Sequence, residues 1–258
     1  MIGDTRRFRS QFVSGRRARV ALLAAFAAGA LLAQAPARAG TADDPVLEVV
    51  QTDYHVPLFS NQYVTVVDVN IPPGRGTNFH NHRDDALNIY LVDYPPKSAG
   101  QDYGKPVGIL RGGKSMPKAG EVLFQNFSNS PIINRGENQG SPGDGTMHVI
   151  ETEFTGRHVF GYTPAERDPA YVKVVDNDKV AVWRLTLQPG ETAPMIVQKA
   201  PGMRVVIHGG EIAEITPGAK DRGMLLTDGK VYWQDGGVRR AVKNIGATPV
   251  MLVEMEMK

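Results

Sequence analysis

The stretch Val64–Gly74, VTVVDVNIPPG, returns 116 positions later as Val180–Gly190, VAVWRLTLQPG, and the correspondence runs on without a gap until Leu87-Asn88-Ile89-Tyr90 lies over Met203-Arg204-Val205-Val206. Self-similarity at a fixed spacing implies one structural unit made twice, a tighter constraint on the fold than any local propensity. The copies differ at one telling place: His80-Asn81-His82 follows the first Pro-Gly turn, and Ile196-Val197-Gln198 stands at the same three positions after the second.

Each copy also ends alike, in Met147–Phe154 and Val250–Met257. Before these segments, Gly120-Glu121-Val122-Leu123-Phe124 matches Gly229-Lys230-Val231-Tyr232-Trp233, and Asn134-Arg135-Gly136 matches Asn244-Ile245-Gly246. Between them run short Val-, Ile- and aromatic-rich segments punctuated by many of the chain's 28 Gly and 18 Pro, a pattern of strands joined by turns with almost no helix signal after Gly40. In Ala181–Leu187 the alternation puts Ala181, Trp183, Leu185 and Leu187 on one face and Arg184 and Thr186 on the other, as a half-buried strand requires. Thr65, Val67, Val69 and Ile71 take the matching face in the first copy, with Asp68 and Asn70 outside. In Met147–Phe154, Glu151 and Glu153 share a face with Val149; an acidic face belongs in water, so His148, Ile150, Thr152 and Phe154 are expected inside.

The N-terminus carries Arg6, Arg7, Arg9, Arg16, Arg17 and Arg19, then an apolar run from Val20 to Leu32 and Ala37-Arg38-Ala39 before Gly40. This order of basic, apolar and small-residue regions is that of a secretory signal peptide over residues 1–39, and predicts a periplasmic or secreted protein. The apolar run is short for a membrane span. The arginine pairs leave the twin-arginine and general secretory routes both open. Removing residues 1–39 leaves 22 Lys and Arg against 26 Asp and Glu, about −4, so no basic footprint for nucleic acid survives. With no cysteine, neither disulfides nor a thiol nucleophile is available. Nucleotide-binding loops and HExxH are also missing from the sequence.

Gly74, five residues, and His80-Asn81-His82 resemble the first motif of the cupins, and Gly237-Val238-Arg239-Arg240 with Asn244 resembles their second motif without its histidine. The resemblance, to two-barrel bicupins, covers Asp44–Lys258. It implies an all-β chain of two tandem cupin-type (double-stranded β-helix) barrels from an internal duplication: an N-terminal barrel over 44–154, a linker over 155–168 and a degenerate C-terminal barrel over 169–258. The family's metal residues carry over in part. His80 and His82 match the first two ligands, Ala86 stands where a glutamate would be, and Ser130 stands near the second-motif histidine. In the second copy Ile196, Gln198, Gly202 and Arg240 replace all four.

Side chains at i and i+2 of a strand point the same way, so His80 and His82 can aim two imidazoles at one ion at about 2.0–2.2 Å. A third group is needed, and Asp84, Asp85 and His148 are the candidates; the inward orientation expected of His148 makes it the preferred third metal ligand. Imidazole with at most one carboxylate suits zinc, iron, nickel, copper or manganese better than magnesium or calcium. The alternative is a pair of loop histidines bonded to Asp84 or Asp85 and holding nothing. Arg240 is a candidate for gripping an anionic ligand at the mouth of the second barrel, against the plainer reading of a salt bridge. His55, His158 and His208 read as surface or structural groups, and Trp183 and Trp233 as core.

The expected function is therefore binding of a small molecule, with a divalent transition metal, in the N-terminal barrel. The alternatives are a metal-dependent dioxygenase, isomerase or decarboxylase, and a non-catalytic structural protein. A homodimer is compatible with barrel edges; nucleic acid, and membrane contact after removal of the signal, are not expected.

Overall fold

The computed structural model describes residues 45–109, 116–156, 160–161 and 163–258. Residues 1–39, expected to be a signal peptide, and His158 lie outside the described residues. Twenty strands and one short 3-10 turn, Val49–Gln51, make up the regular structure among them. The first half contains β1 (Leu47–Glu48), β2 (His55–Ser60), β3 (Thr65–Ile71), β4 (Arg75–Gly76), β5 (His80–His82), β6 (Ala86–Tyr90), β7 (Ser98–Asp102), β8 (Gly108–Ile109), β9 (Val122–Gln125), β10 (Ile132–Asn138) and β11 (Met147–Glu153). The second contains β12 (Tyr171–Asp176), β13 (Val180–Leu187), β14 (Ile196–Gln198), β15 (Gly202–His208), β16 (Gly210–Ile215), β17 (Arg222–Leu226), β18 (Val231–Gln234), β19 (Val238–Asn244) and β20 (Val250–Met257).

The strand order is the same in both halves. One sheet runs β2-β3-β11-β6-β9 and its counterpart β12-β13-β20-β15-β18; the facing sheets run β5-β10-β7-β8 and β14-β19-β16-β17. The first half adds β1, parallel to β5, and β4 beside β10. Each Pro-Gly turn after the leading strand places its glycine in the left-handed region, Gly74 at φ 72° and Gly190 at φ 83°, a conformation that costs a glycine little and a side chain much.

The two barrels pack through the sheets that carry β11 and β20. Val64, Val66, Leu87, Ile89, Ile150 and Phe154 of the first half share one buried cluster with Val182, Met203, Val205, Val253, Met255 and Met257 of the second. The contact is reciprocal: a methyl at Gly120 would meet Met251 and Arg184, and one at Gly229 would meet Leu91 and His148. Both faces of β11 and β20 are consequently covered, one by the other barrel and one by the strand's own barrel.

That double burial corrects the reading of β11. Its Ile150 and Thr152, with Phe154 just after it, face the second barrel, and Glu151 and Glu153, expected in water, point into the first barrel at 6 % and 8 % exposure. Alternation separates two faces of a strand but does not say which is inside when neither meets solvent.

Candidate metal and ligand site in the N-terminal barrel

A cavity of about 600 Å³ occupies the interior of the first barrel. His55, His80, His82 and Glu151 are among its polar lining, with Asn88, Asn134 and Arg135, and Tyr90 and Phe127 are among its apolar lining. β5 delivers the two histidines. Antiparallel pairing with β10 sets His82 opposite Ile132 and His80 opposite Asn134, with Asn81 turned to the other side. His80 and His82 are 3 % and 5 % exposed, their ring centroids 4.7 Å apart; His55, at the start of β2, lies 5.0 Å from His80. His55 thus belongs to the cavity, not the surface.

The imidazoles are in different electrostatic states. His80 Nδ1 lies 2.8 Å from the carbonyl of Asn78, to which it donates, so Nε2 keeps its lone pair. Burial, helped by the neighbouring His82 and His55, pushes its pKa down to about 3, so the ring is neutral. Burial by itself would lower His82 too, but the charge of Glu151 overrides it and the pKa is raised. Burial would raise Glu151, yet the adjacent His82, above all, holds it down to about 2, and it is ionised. Burial first, and the Glu151 charge second, push Glu153 up to about 8, so it carries a proton at neutral pH.

His82 Nδ1 and Glu151 Oε1 are 3.2 Å apart, close enough to form an ion pair but not aligned as a hydrogen bond, and both atoms lack a hydrogen-bond partner. Asn88 Oδ1, on the strand next to Glu151, is buried in the same condition. Unpartnered buried polar atoms are uncommon and call for a reason. One ligand atom from each of His82, Glu151 and Glu153 lies within 4.8 Å of the others, so the three can converge on one ion.

The remaining expected site residues are placed elsewhere. His148 is on the opposite face of β11, where Nε2 bonds Asp68 Oδ1 at 2.7 Å near the second barrel, so it cannot join His80 and His82. Asp84 is exposed; Asp85 is buried but accepts from Ser128 N and pairs with Lys179 of the second half. The second-motif position is Asn134, not Ser130: Asn134 opposes His80 as Arg240 opposes Ile196.

Arg240 is not at a barrel mouth. It is 3 % exposed and bonds Gln198, Gln234 and Glu254 inside the second barrel. Arg204 and Arg167 join it on Glu254, and Arg167, from the segment before β12, lies 3.8 Å over the Trp183 ring. Of the side chains at the metal-motif positions, Gln198 and Arg240 thus belong to a buried polar network on Glu254, while Ile196 packs in the apolar core. The sequence signal that marks Glu151 and Glu153 is their repetition as Glu254 and Glu256 in the second copy.

No protein-family model matches the chain, and no curated protein sequence matches it. Among solved structures it is similar to a variant salicylate 1,2-dioxygenase from Pseudoaminobacter salicylatoxidans in complex with gentisate, at 11 % identity over 82 % of this chain and 76 % of that one, with a TM-score of 0.52. It is also similar to YhaK from Escherichia coli at 13 % identity, over 80 % and 92 % of the two chains, with a TM-score of 0.49. A cupin domain from Bordetella pertussis matches 36 % of this chain and 99 % of its own length at 25 % identity, with a TM-score of 0.32. The fold is of cupin type, laid out as two tandem barrels. At these identities the likeness concerns the fold alone.

Proposed function

We propose that this is an exported bicupin, its barrels derived by internal duplication, that binds a small organic molecule beside a divalent transition metal in the N-terminal barrel. The second barrel, with its metal motif lost, serves as scaffold. The observation that carries the reading is the convergence of His82, Glu151 and Glu153 beside the cavity, with His82 Nδ1 and Glu151 Oε1 buried, 3.2 Å from each other and without an aligned hydrogen bond. The donor set fits a transition metal: one imidazole and two carboxylates, with the neutral His80 alongside, suit zinc, manganese or iron. His82, Glu151 and Glu153 would hold the ion, which would supply Lewis acidity when bound. The chain's own residues exclude water with Tyr90, Val149 and Phe127 and keep a basic nitrogen, His80 Nε2, at the cavity wall.

A metal-dependent enzyme is the second reading. It is favoured by two carboxyl groups in one site with opposed protonation, Glu151 ionised and Glu153 protonated, an arrangement suited to moving a proton.

The experiment is to strip the mature protein with chelator, reload it with zinc, manganese or iron(II), and measure metal content and melting temperature. One equivalent of metal and a raised melting temperature in the wild type, both missing from His80→Ala/His82→Ala, support the reading; a metal-free wild type with an unchanged melting temperature contradicts it. A turnover screen against small acids and phenols separates enzyme from binding protein.

A further inference from the structure

Glu151 and Glu254 occupy the same place in the two barrels but are neutralised differently. In the β15–β20 register Arg204 stands opposite Glu254, and in the β6–β11 register Asn88 stands opposite Glu151. In the β14–β19 register Arg240 faces Ile196, and in the β5–β10 register Asn134 faces His80. Two buried arginines of the second barrel are thus asparagines in the first. Glu254 accepts from Arg204 Nε at 3.0 Å, Arg240 Nη2 at 3.2 Å and Arg167 Nη1 at 2.8 Å. Glu151 has a histidine instead: its Oε1 lies 3.2 Å from His82 Nδ1 without an aligned hydrogen bond.

We infer that the positive charge the first barrel takes from solution is carried covalently in the second, by the guanidinium groups of Arg204 and Arg240, and that Asn88 is the position that keeps the first barrel dependent on a bound cation. A buried carboxylate must be paired with a cation or give up its charge. The second barrel supplies fixed cations across the sheet; the first presents amides at the same two places, leaving a 600 Å³ cavity where the arginines would lie. This rests on the proposed cation site at Glu151, and goes beyond it by assigning the second barrel's network as that site's built-in substitute.

The test is Asn88→Arg in the chelator-stripped full chain, with zinc as the probe. The expected result is a melting temperature above that of stripped wild type, with zinc uptake lost and no further shift on adding zinc. Wild-type zinc uptake by Asn88→Arg, or a melting temperature no higher than that of stripped wild type, would overturn the inference. Should Asn88→Arg not fold, Asn134→Arg places the charge where Arg240 has it and must give the same two results. Failure of both to fold, while Asn88→Ala and Asn134→Ala do fold, would also overturn it. A wild type that takes up no metal defeats the proposed function, whereas stabilisation by the grafted arginine would still be read independently.

Discussion

Asn138 and Asn244 make the same three hydrogen bonds in the two barrels. Asn138 Nδ2 donates to the carbonyls of Ile71 at 3.1 Å and Gly145 at 2.9 Å while Oδ1 accepts from Gly140 N; Asn244 Nδ2 donates to those of Leu187 at 3.0 Å and Thr248 at 2.8 Å while Oδ1 accepts from Gly246 N. Each amide ties the end of the leading strand to the loop before the last one. Asn138→Ala and Asn244→Ala are each expected to cost about 2–4 kcal/mol, because buried carbonyls and an amide N–H lose their partners together. Chemical denaturation of the two variants measures this, and similar losses are expected since the surroundings match.

These asparagines also show why part of the site was hidden in the sequence. Pairing Asn134 with Asn244 by the shared Asn-x-Gly slid the second motif by four residues and put Ser130 where Asn134 belongs. The repeat, the strand character of Thr65–Ile71 and Ala181–Leu187, and the common orientation of His80 and His82 were legible because hydrophobic period and turn residues encode them locally. The facing of β11 was not, because Ile150 and Phe154 are covered by Met255, Met257 and their neighbours, more than 100 positions downstream. His55 was missed for a similar reason: nothing near it in sequence says that β2 closes the cavity beside β3.

Glu153 gives the metal-free protein a particular pH dependence. Its ordinary value is 4.5 and its folded value about 8, so between these the folded chain holds a proton that the unfolded chain has released. Its contribution is whole below 4.5 and is lost as pH rises through 8. Glu151 acts in the opposite sense: stabilising above 4.5, with that contribution lost as pH falls toward 2. Glu153→Gln is therefore expected to gain stability relative to stripped wild type as pH rises from about 5 to 8, read from denaturation at several pH values in chelator. A difference that stays constant across this range would contradict the assignment.

Arg167, four residues before β12, is anchored inside the second barrel. Its guanidinium is 3 % exposed in its side chain, bonds Glu254 Oε2 at 2.8 Å and covers the Trp183 ring. Arg167→Ala removes one partner of a buried pair along with that stacking, and is expected to cost about 3–5 kcal/mol. Because Glu254 keeps Arg204 and Arg240, the variant should still fold, with a lower unfolding midpoint.

His148, bonded to Asp68 with a side chain 21 % exposed, lies outside the cavity. His148→Gln is expected to cost roughly 1 kcal/mol or less and to leave metal uptake at the wild-type level; loss of uptake would return it to the site.

The presence of a cation site on Glu151 in one barrel only is tested most directly by calorimetric titration of the stripped chain with zinc and manganese. The expected result is one site in wild type and in Gln198→Ala, and none in Glu151→Gln. Undiminished binding by Glu151→Gln, or equal loss in Gln198→Ala, would contradict it.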